Sequence, residues 1–174
     1  QNAFGGRQGI VEKYTLSVLV ENHAGVLSKV VGLFSRRGFN IHSLAVGVTQ
    51  DETISRITIE VLGDAATIEQ IAKQLNKLVD VIKIKTLRSD EVVKRGLLLV
   101  KIRTTARNRS DVIQIAEVFR AKIVDLSRTT ITAELTGNES KLEAFLQILE
   151  PYGVEEIART GMIALERGAN TLKV

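Results

Sequence analysis

A short polar segment, Asn22-His23-Ala24-Gly25, separates an apolar alternation that ends at Val20 from a run of helical spacing that begins at Val26. Gly25 suits a backbone that bends tightly or lets another group approach closely. The first amides of a helix have no partner within it, and together with the helix dipole they can bind a small carboxylate. The segment therefore predicts a carboxylate-binding loop, with an ordinary strand-to-helix turn as the alternative.

The residue types give little support to independent catalysis. The chain contains no cysteine, which excludes disulfides, thiolate metal sites and cysteine nucleophiles. Its two histidines, His23 and His42, have no metal-binding spacing with each other or with acidic residues. Neither a glycine-rich phosphate loop nor a Gly-x-Ser-x-Gly elbow occurs. We therefore expect no catalytic residue, no metal site and no cofactor in this chain.

The composition bounds the class of protein. A length of 174 residues suffices for one domain or two small ones. With 44% apolar and 25% charged residues, the chain has the composition of a soluble globular protein, and no apolar run approaches the ~18 residues of a membrane span. The net charge of +4 is weak evidence for nucleic acid. The only methionine is Met162, so we expect a trimmed or processed amino terminus.

The apolar periodicity switches between that of strands and that of helices along the first half of the chain. Residues 1–12 are glycine-rich and aperiodic, and we expect a flexible tail. Residues 13–88 predict one domain with strands at 14–20, 41–49, 53–62 and 80–87 and helices at 26–37 and 65–78. This is the split βαβ order, which places both helices on one face of a four-stranded antiparallel sheet.

The third predicted strand carries information about the faces of that sheet. Apolar Ile57 and Ile59 alternate there with polar Thr58 and Glu60. Such alternation is typical of a sheet that is covered on one face only. We therefore expect the second face to meet solvent or a second copy of the chain.

The second half of the chain repeats the pattern. Residues 89–95 are charged and predict a linker, residues 96–168 predict a second domain, and residues 169–174 predict a tail. The second domain has predicted strands at 97–103, 122–127, 130–136 and 154–160 and predicted helices at 110–121 and 139–149. The chain is thus predicted to be an α+β protein of two ferredoxin-like βαββαβ units that arose by duplication.

The two halves differ in the loop after their first strand. The second half has no Asn-x-x-Gly turn and carries a longer, basic loop at 104–109 instead. We therefore expect the amino-terminal unit alone to hold the carboxylate-binding loop.

RNA-recognition domains share this order of elements and stack bases on aromatic residues of their central strands. None of the phenylalanines falls in a predicted strand, Tyr14 opens the first strand, and Tyr152 lies in a loop. A ferredoxin-like RNA-binding module is therefore the alternative, and a small-ligand sensor or interaction subunit is the favoured class.

Two segments in the first half, Asn22–Leu27 and Phe34–Ile41, resemble the ACT domain, a family that binds amino acids. Further segments follow in order, and together they resemble the small regulatory subunits of acetohydroxyacid synthase (acetolactate synthase), with cyanobacterial or plastid members most similar. These segments are Ser55–Thr58, Lys77–Val81, Leu99–Ile102, Val118–Ala121 and Ala158–Leu165. The resemblance covers about Glu12–Arg167.

The resemblance implies a non-catalytic subunit with an ACT domain at its amino terminus. It would stimulate a separate catalytic subunit, which uses thiamine diphosphate, Mg²⁺ and FAD, and it would convey feedback inhibition by valine or another branched-chain amino acid. It further implies a homodimer through the ACT domains, with no nucleic-acid or membrane partner. The location would be the cytoplasm, or the plastid stroma for a processed organellar form.

The resemblance also implies where the effector binds. The amides of Gly25, Val26 and Leu27 at the start of the first helix would meet the ligand carboxylate, and the Asn22 side chain would take a further hydrogen bond. Asn40 would accept from the ligand ammonium, and Ile41 would bound its aliphatic part. A helix of about twelve residues is roughly 18 Å long, so the two ends would share one ligand only across a dimer. The alternative role for Asn40 is that of an ordinary turn residue. The predicted effector-binding residues are Asn22, Gly25, Val26, Leu27, Asn40 and Ile41.

Overall fold

The computed structural model describes residues 9–174. Contacts divide the chain into two compact units. The first unit runs to Val93 and also includes Leu165–Val174, and the second unit is Lys94–Ala164. The predicted tail at 1–12 lies largely outside the described residues, and within it the first strand already begins at Glu12.

The first unit has the predicted order of elements. It contains β1 (Glu12–Glu21), α1 (Val26–Arg37), β2 (Ile41–Val48), β3 (Ile54–Gly63), α2 (Ala65–Asn76) and β4 (Val81–Leu87). The strands form an antiparallel sheet in the order β2-β3-β1-β4. Helix α1 matches its predicted range because a glycine in the left-handed conformation ends it on each side, Gly25 with φ 88° and Gly38 with φ 68°.

The apolar face of this sheet packs against both helices. Leu16 and Val18 of β1 lie opposite Ile59 and Ile57 of β3, and all four are buried with Val30 of α1. Burial of a side chain of this size stabilises the fold by about 1.5–3 kcal/mol. A slip of one residue would place polar side chains against the helices, so the apolar pattern sets the register and with it the position of α1 after β1.

The second face of this sheet is also covered, so the expectation of an open face was wrong. Arg56 donates from Nη1 to Ser17 Oγ at 2.7 Å and from Nη2 to the Leu172 carbonyl at 3.4 Å. Lys83 Nζ donates to the Lys173 carbonyl at 2.8 Å. The register places Arg56, Ser17 and Lys83 on the side of the sheet that faces away from the helices.

Burial of polar residues agrees with this cover. Ser17, Thr58 and Glu60 are all buried. The alternation in β3 therefore marks two covered faces, one apolar and one polar. Sequence reasoning missed the second cover because the segment Leu165–Val174 lies far away along the chain.

The predicted linker and carboxy-terminal tail both contain ordered residues of the fold. Strand β5 (Val92–Arg103) begins inside the predicted linker of 89–95. Residues 169–174 have no regular secondary structure, but Leu172 is only 9% exposed and its carbonyl accepts the bond from Arg56.

The second unit repeats the fold of the first, which confirms the prediction of two βαββαβ units. After β5 come α3 (Arg109–Val118), β6 (Lys122–Leu126), β7 (Thr130–Gly137), α4 (Glu139–Leu149) and β8 (Val154–Arg159). The sheet order is β6-β7-β5-β8, and its core contains Leu98, Val100 and Phe145. A short strand that was not predicted, β9 (Ile163–Glu166), pairs with β5.

Candidate ligand-binding site

Asn22 ties the loop after β1 to the turn between β2 and β3. Its backbone amide donates to the Thr53 carbonyl at 2.8 Å, and its side-chain Nδ2 donates to the Glu52 carbonyl at 2.8 Å. On the other side, the Glu21 amide donates to the Asp80 carbonyl at 2.9 Å. The loop is thus held from two directions, and Oδ1 is the acceptor that the Asn22 side chain can offer to a ligand.

Gly25 leaves free space at the start of α1. Its φ of 88° lies in the left-handed region, and a Cβ built on it would have no described atom within 4 Å. The two residues that follow point in different directions, since Val26 is buried in the core and Leu27 is 42% exposed. The loop therefore presents bare backbone next to an exposed apolar side chain.

The first turn of α1 contains backbone amides that have no acceptor within the helix. The first hydrogen bond within the helix is donated by the amide of Lys29, at 3.1 Å. The Val26 amide faces the His23 carbonyl at 3.5 Å, which is long for a hydrogen bond. The amides of Leu27 and Ser28 precede the first helical bond and have no acceptor within the helix. Of the predicted residues, Leu27 thus offers the more available donor and Val26 the less available one.

The start of α1 differs from the starts of α2 and α4. At α2, the Asp64 side chain accepts from the Thr67 amide at 2.8 Å. At α4, the Asn138 side chain accepts from the Lys141 amide at 3.0 Å. Among the described residues, no side chain caps α1, and its first turn contains no acidic residue. An external carboxylate could therefore supply to α1 what Asp64 supplies to α2.

Charged side chains beside the loop form an ion-pair network, the Asp80 network, made of Glu21, His23, Lys29 and Asp80. Lys29 Nζ lies 2.8 Å from Asp80 Oδ2. His23 Nε2 lies 2.9 Å from Asp80 Oδ1 and 3.2 Å from Glu21 Oε2. Asp80 is buried in the connection between α2 and β4, and the hydrogen bond from Lys29, with His23 nearby, holds the pKa of its carboxyl below the ordinary value.

Three members of the Asp80 network also have the ligand atoms of a cation site. Glu21, His23 and Asp80 place possible ligand atoms within 4.8 Å of one another. The ammonium of Lys29 already occupies the second oxygen of Asp80 and would repel a metal ion there. These residues therefore form ion pairs and make a poor metal site.

The structure separates the remaining predicted residues from this loop. Asn40 is exposed after the carboxy-terminal end of α1, and Ile41 is half-buried at the start of β2. Helix α1 has 12 residues and is therefore about 18 Å long. One chain thus brings together the predicted residues from Asn22 to Leu27, while Asn40 and Ile41 lie at the other end of the helix.

Sequence reasoning missed Asp80 and Lys29. The two residues are 51 positions apart, and no spacing rule connects the loop before β4 with the first turn of α1. One signal was present, because a lysine near the start of a helix is unfavourable with respect to the helix dipole and calls for an acidic partner.

The start of α3 in the second unit offers a poorer place for a carboxylate. Its preceding loop is closed on itself, since the Thr105 amide donates to Asn108 Oδ1 at 2.7 Å. The first turn of α3 also contains Asp111, whose charge would repel a second carboxylate. This contrast agrees with the expectation that the first unit alone keeps the loop.

A cleft of about 410 Å³ lies elsewhere in the second unit, at the start of α4. Its lining residues are Arg95, Thr136, Gly137, Asn138, Ser140 and Lys141. The cap residue Asn138 already accepts from the Lys141 amide and the Ser140 hydroxyl, both at 3.0 Å. The cleft contains none of the predicted site residues, and its helix start is already capped.

Aromatic residues do not form a base-stacking platform in the described part of the chain. Phe34 packs edge-on against Phe39 with ring centroids 6.2 Å apart, and Phe119 packs against Phe145 at 5.1 Å. Both pairs belong to the hydrophobic cores. The alternative of an RNA-binding module therefore lacks its main physical device. Across residues 9–174, no helix is long and apolar enough to cross a membrane.

Fold and helix start together define the class of the first unit, which is an ACT domain. Residues 16–83 match the family described as the small-subunit-like ACT domain of acetohydroxyacid synthase, and residues 95–168 match the family described as the small subunit of acetolactate synthase. The chain belongs to the family of acetolactate synthase small subunits, as predicted, and the RNA-binding alternative is not supported.

Individual relatives agree with this assignment. The chain is 52% identical over 155 residues to the acetolactate synthase small subunit of Mycolicibacterium smegmatis, covering 89% of this chain and 91% of the relative. It is 46% identical over 156 residues to the probable small subunit of Archaeoglobus fulgidus, covering 90% and 98%. The crystal structure of the small subunit from Thermotoga maritima superimposes with a TM-score of 0.85 at 43% identity, covering 91% and 99%. The particular likeness to cyanobacterial or plastid members stays a prediction.

Proposed function

We propose that the ACT domain binds a branched-chain amino acid, valine above all, at the start of α1 and that the chain conveys the resulting feedback inhibition to a separate catalytic subunit. One observation carries the proposal. The start of α1 has no side-chain cap among the described residues, no acidic residue in its first turn, and free space at Gly25. These are the conditions under which backbone amides bind a carboxylate from outside.

The residues around the loop suggest how the ligand is oriented. Its carboxylate accepts from the amides of Leu27 and Ser28, and its ammonium donates to Asn22 Oδ1, whose side chain is oriented by the Glu52 carbonyl. The exposed side chain of Leu27 offers apolar contact to an aliphatic ligand. A ligand with a short branched side chain fits such a surface.

A second copy of the chain completes this proposed site with its Asn40 and Ile41. Because the polar face of the first sheet is covered, that face no longer argues for a dimer. The edge strand β2 still does, since its residues Val46 and Val48 are 48% and 61% exposed. Pairing of two copies near β2 and α1 would bring the loop of one copy towards Asn40 of the other.

The catalytic chemistry in this proposal belongs to the partner. The chain itself performs no reaction, and the thiamine diphosphate, Mg²⁺ and FAD expected from the family are bound by the catalytic subunit. The small subunit stimulates that enzyme when valine is absent. It withdraws the stimulation when valine is bound.

Reconstitution with the cognate catalytic subunit tests the proposal. The purified chain alone should form no acetolactate from pyruvate, its addition should raise the rate of the catalytic subunit, and valine should lower that raised rate. Acetolactate formation by the chain alone would refute the regulatory role. Stimulation without any response to valine, leucine or isoleucine would refute the proposal that a branched-chain amino acid is the effector.

A further inference from the structure

His23 is the one member of the Asp80 network that can change its charge near neutral pH. Its ring lies between acceptors only. Nδ1 is 3.3 Å from the Ala24 carbonyl, and Nε2 is 2.9 Å from Asp80 Oδ1 and 3.2 Å from Glu21 Oε2. A neutral imidazole has a single N–H and can satisfy only one of these sides, whereas the imidazolium donates to both. The geometry therefore suits the charged form of His23.

Asp80 connects His23 to α1, the helix whose first backbone amides are proposed to bind the ligand carboxylate. One of its oxygens faces His23 in the loop, and the other accepts from Lys29 in α1. Its own backbone carbonyl accepts from the Glu21 amide at the end of β1. Asp80 is thus a fixed point, buried in the connection before β4, that holds both sides of the loop at once.

From this geometry we infer that Asp80 positions the loop Asn22–Gly25, which precedes α1, through its contacts with Lys29 and His23. Effector binding at this loop then weakens as the pH rises and His23 loses its proton. The inference rests on the proposed function, because it concerns the same loop. It adds regulation by pH to the proposed regulation by an amino acid.

The charge balance gives the direction of the effect. The charged groups that face the loop are Glu21 from β1, Lys29 from α1 and Asp80 from the connection before β4, and they balance when His23 is protonated. The turn between β2 and β3 adds Asp51, which is bonded to Thr53 within its own turn, and Glu52. Loss of the His23 charge therefore makes the surroundings of the ligand carboxylate more negative by one unit charge.

The pH range follows from the direction of the shift. The Ala24 carbonyl and the Glu21 carboxylate, with Asp80 beside them, hold the pKa of His23 above its ordinary value of 6.5. A group whose pKa is raised on folding is fully protonated below that ordinary value and loses its contribution as the pH rises through the raised one. As an order of magnitude, two unit charges about 7 Å apart in water-like surroundings change an affinity about threefold.

Valine titration by calorimetry on the full chain, at about pH 5.5 and about pH 8.5, tests the inference on either side of the His23 titration. We expect the dissociation constant of the wild type to rise about threefold between the two values. His23→Gln should show no such rise, and the matched variant His42→Gln should keep it. A wild-type affinity that does not depend on pH, or a dependence that persists in His23→Gln, would overturn the inference and leave the proposed function intact. Absence of valine binding at both pH values would overturn both.

NMR titration of the imidazole signals tests the network without any ligand. The chain has two histidines, and His23→Gln identifies which imidazole signal belongs to His23. We expect His23 to titrate above pH 6.5 in the wild type and at lower pH in Asp80→Asn. Glu21→Gln should also lower the midpoint of the His23 titration. Because Glu21 is exposed, this variant is informative even if Asp80→Asn disturbs the fold. A His23 midpoint at or below 6.5, or one that neither variant moves, would overturn the inference.

Discussion

Gly25 and Asp64 occupy the same position in the two helices of the ACT domain, directly before the first helical residue, yet only Asp64 supplies a side-chain acceptor to the helix amides. Hydrogen bonds from the hydroxyl and amide of Thr67 hold the pKa of Asp64 below its ordinary value, so this cap is an anion. The start of α1 therefore lacks the anionic side-chain cap that Asp64 provides to α2. An aspartate placed at Gly25 should put a fixed negative charge at this helix start and exclude the effector carboxylate.

Gly25→Asp should abolish feedback inhibition by valine and leave stimulation of the catalytic subunit in place. Two like charges ~4 Å apart at an effective dielectric constant of ~20 repel by about 4 kcal/mol, and solvent reduces this value. A third of that energy already lowers affinity about tenfold. Gly25→Asn has almost the same shape without the charge and is tolerated at positive φ, so it should weaken inhibition much less. The measurement is a valine titration of the reconstituted enzyme, with Tm followed in parallel.

Gly168→Asp provides the control for backbone strain. Gly168 also has a positive φ, 74°, and a Cβ built there would have no described atom within 4 Å. This variant should keep wild-type inhibition. Equal inhibition in Gly25→Asp and the wild type would show that valine binds elsewhere.

Calorimetry should give a stoichiometry of one valine per chain. The start of α3 has a closed loop and the acidic Asp111, and the start of α4 has its own cap in Asn138. The second unit should therefore bind no amino acid. Gly25→Asp should remove all of the binding heat. If the wild type binds two valines per chain and Gly25→Asp still binds one, the second unit contains an effector site as well.

The sequence predicted much of the fold and of the loop because the signals are local. Helix α1 was predicted to the residue since glycines mark both of its ends, and the alternation of Ile57 and Ile59 placed the core face of β3 correctly. The loop from Asn22 to Leu27 was found because glycine, strand end and helix start follow one another directly.

What the sequence did not predict depends on partners that are distant along the chain. Arg56 is bonded to a carbonyl 116 positions away, so the alternation in β3 could not show what covers its polar face. Lys29 and Asp80 are 51 positions apart, and each looks like an ordinary surface charge by itself. Tertiary structure had to bring them together before the network beside the loop could be recognised.

Leu172→Ala should destabilise the first unit, although this residue lies close to the carboxy terminus. The side chain is 9% exposed, and truncation of a buried leucine lowers the free energy of unfolding by about 2 kcal/mol or more. Leu165→Ala, at a position that is 62% exposed in the same segment, should change it by less than about 0.5 kcal/mol. Calorimetric melting of both variants measures the difference. Identical melting curves would show that Leu172 does not contribute to the cover of the polar face.

This cover also determines how the division of labour should be tested. A fragment that ends after Ser89 lacks Leu165–Val174 and would leave the polar face of the first sheet bare. Loss of valine binding in such a fragment would follow from a damaged fold. Substitutions in the full chain, such as Gly25→Asp, are therefore the better test of which unit binds the effector.

Lys29→Gln should lower the Tm at pH 7, and the difference from the wild type should disappear in acid. The variant leaves the buried Asp80 without its ammonium partner, which is unfavourable for an ionised carboxyl. Lys29 holds the pKa of Asp80 below its ordinary value of 3.8, and a lowered pKa stabilises the fold above that value and ceases to do so as the pH falls through the lowered one. Lys73→Gln breaks the pair with Glu69, in which both side chains are largely exposed, and should leave the Tm nearly unchanged at either pH. Melting curves at about pH 7 and at successively lower pH compare the two variants as Asp80 becomes protonated. If Lys29→Gln behaves like Lys73→Gln at pH 7, Asp80 does not depend on Lys29, and the loop must be positioned by its backbone bonds to the two neighbouring turns.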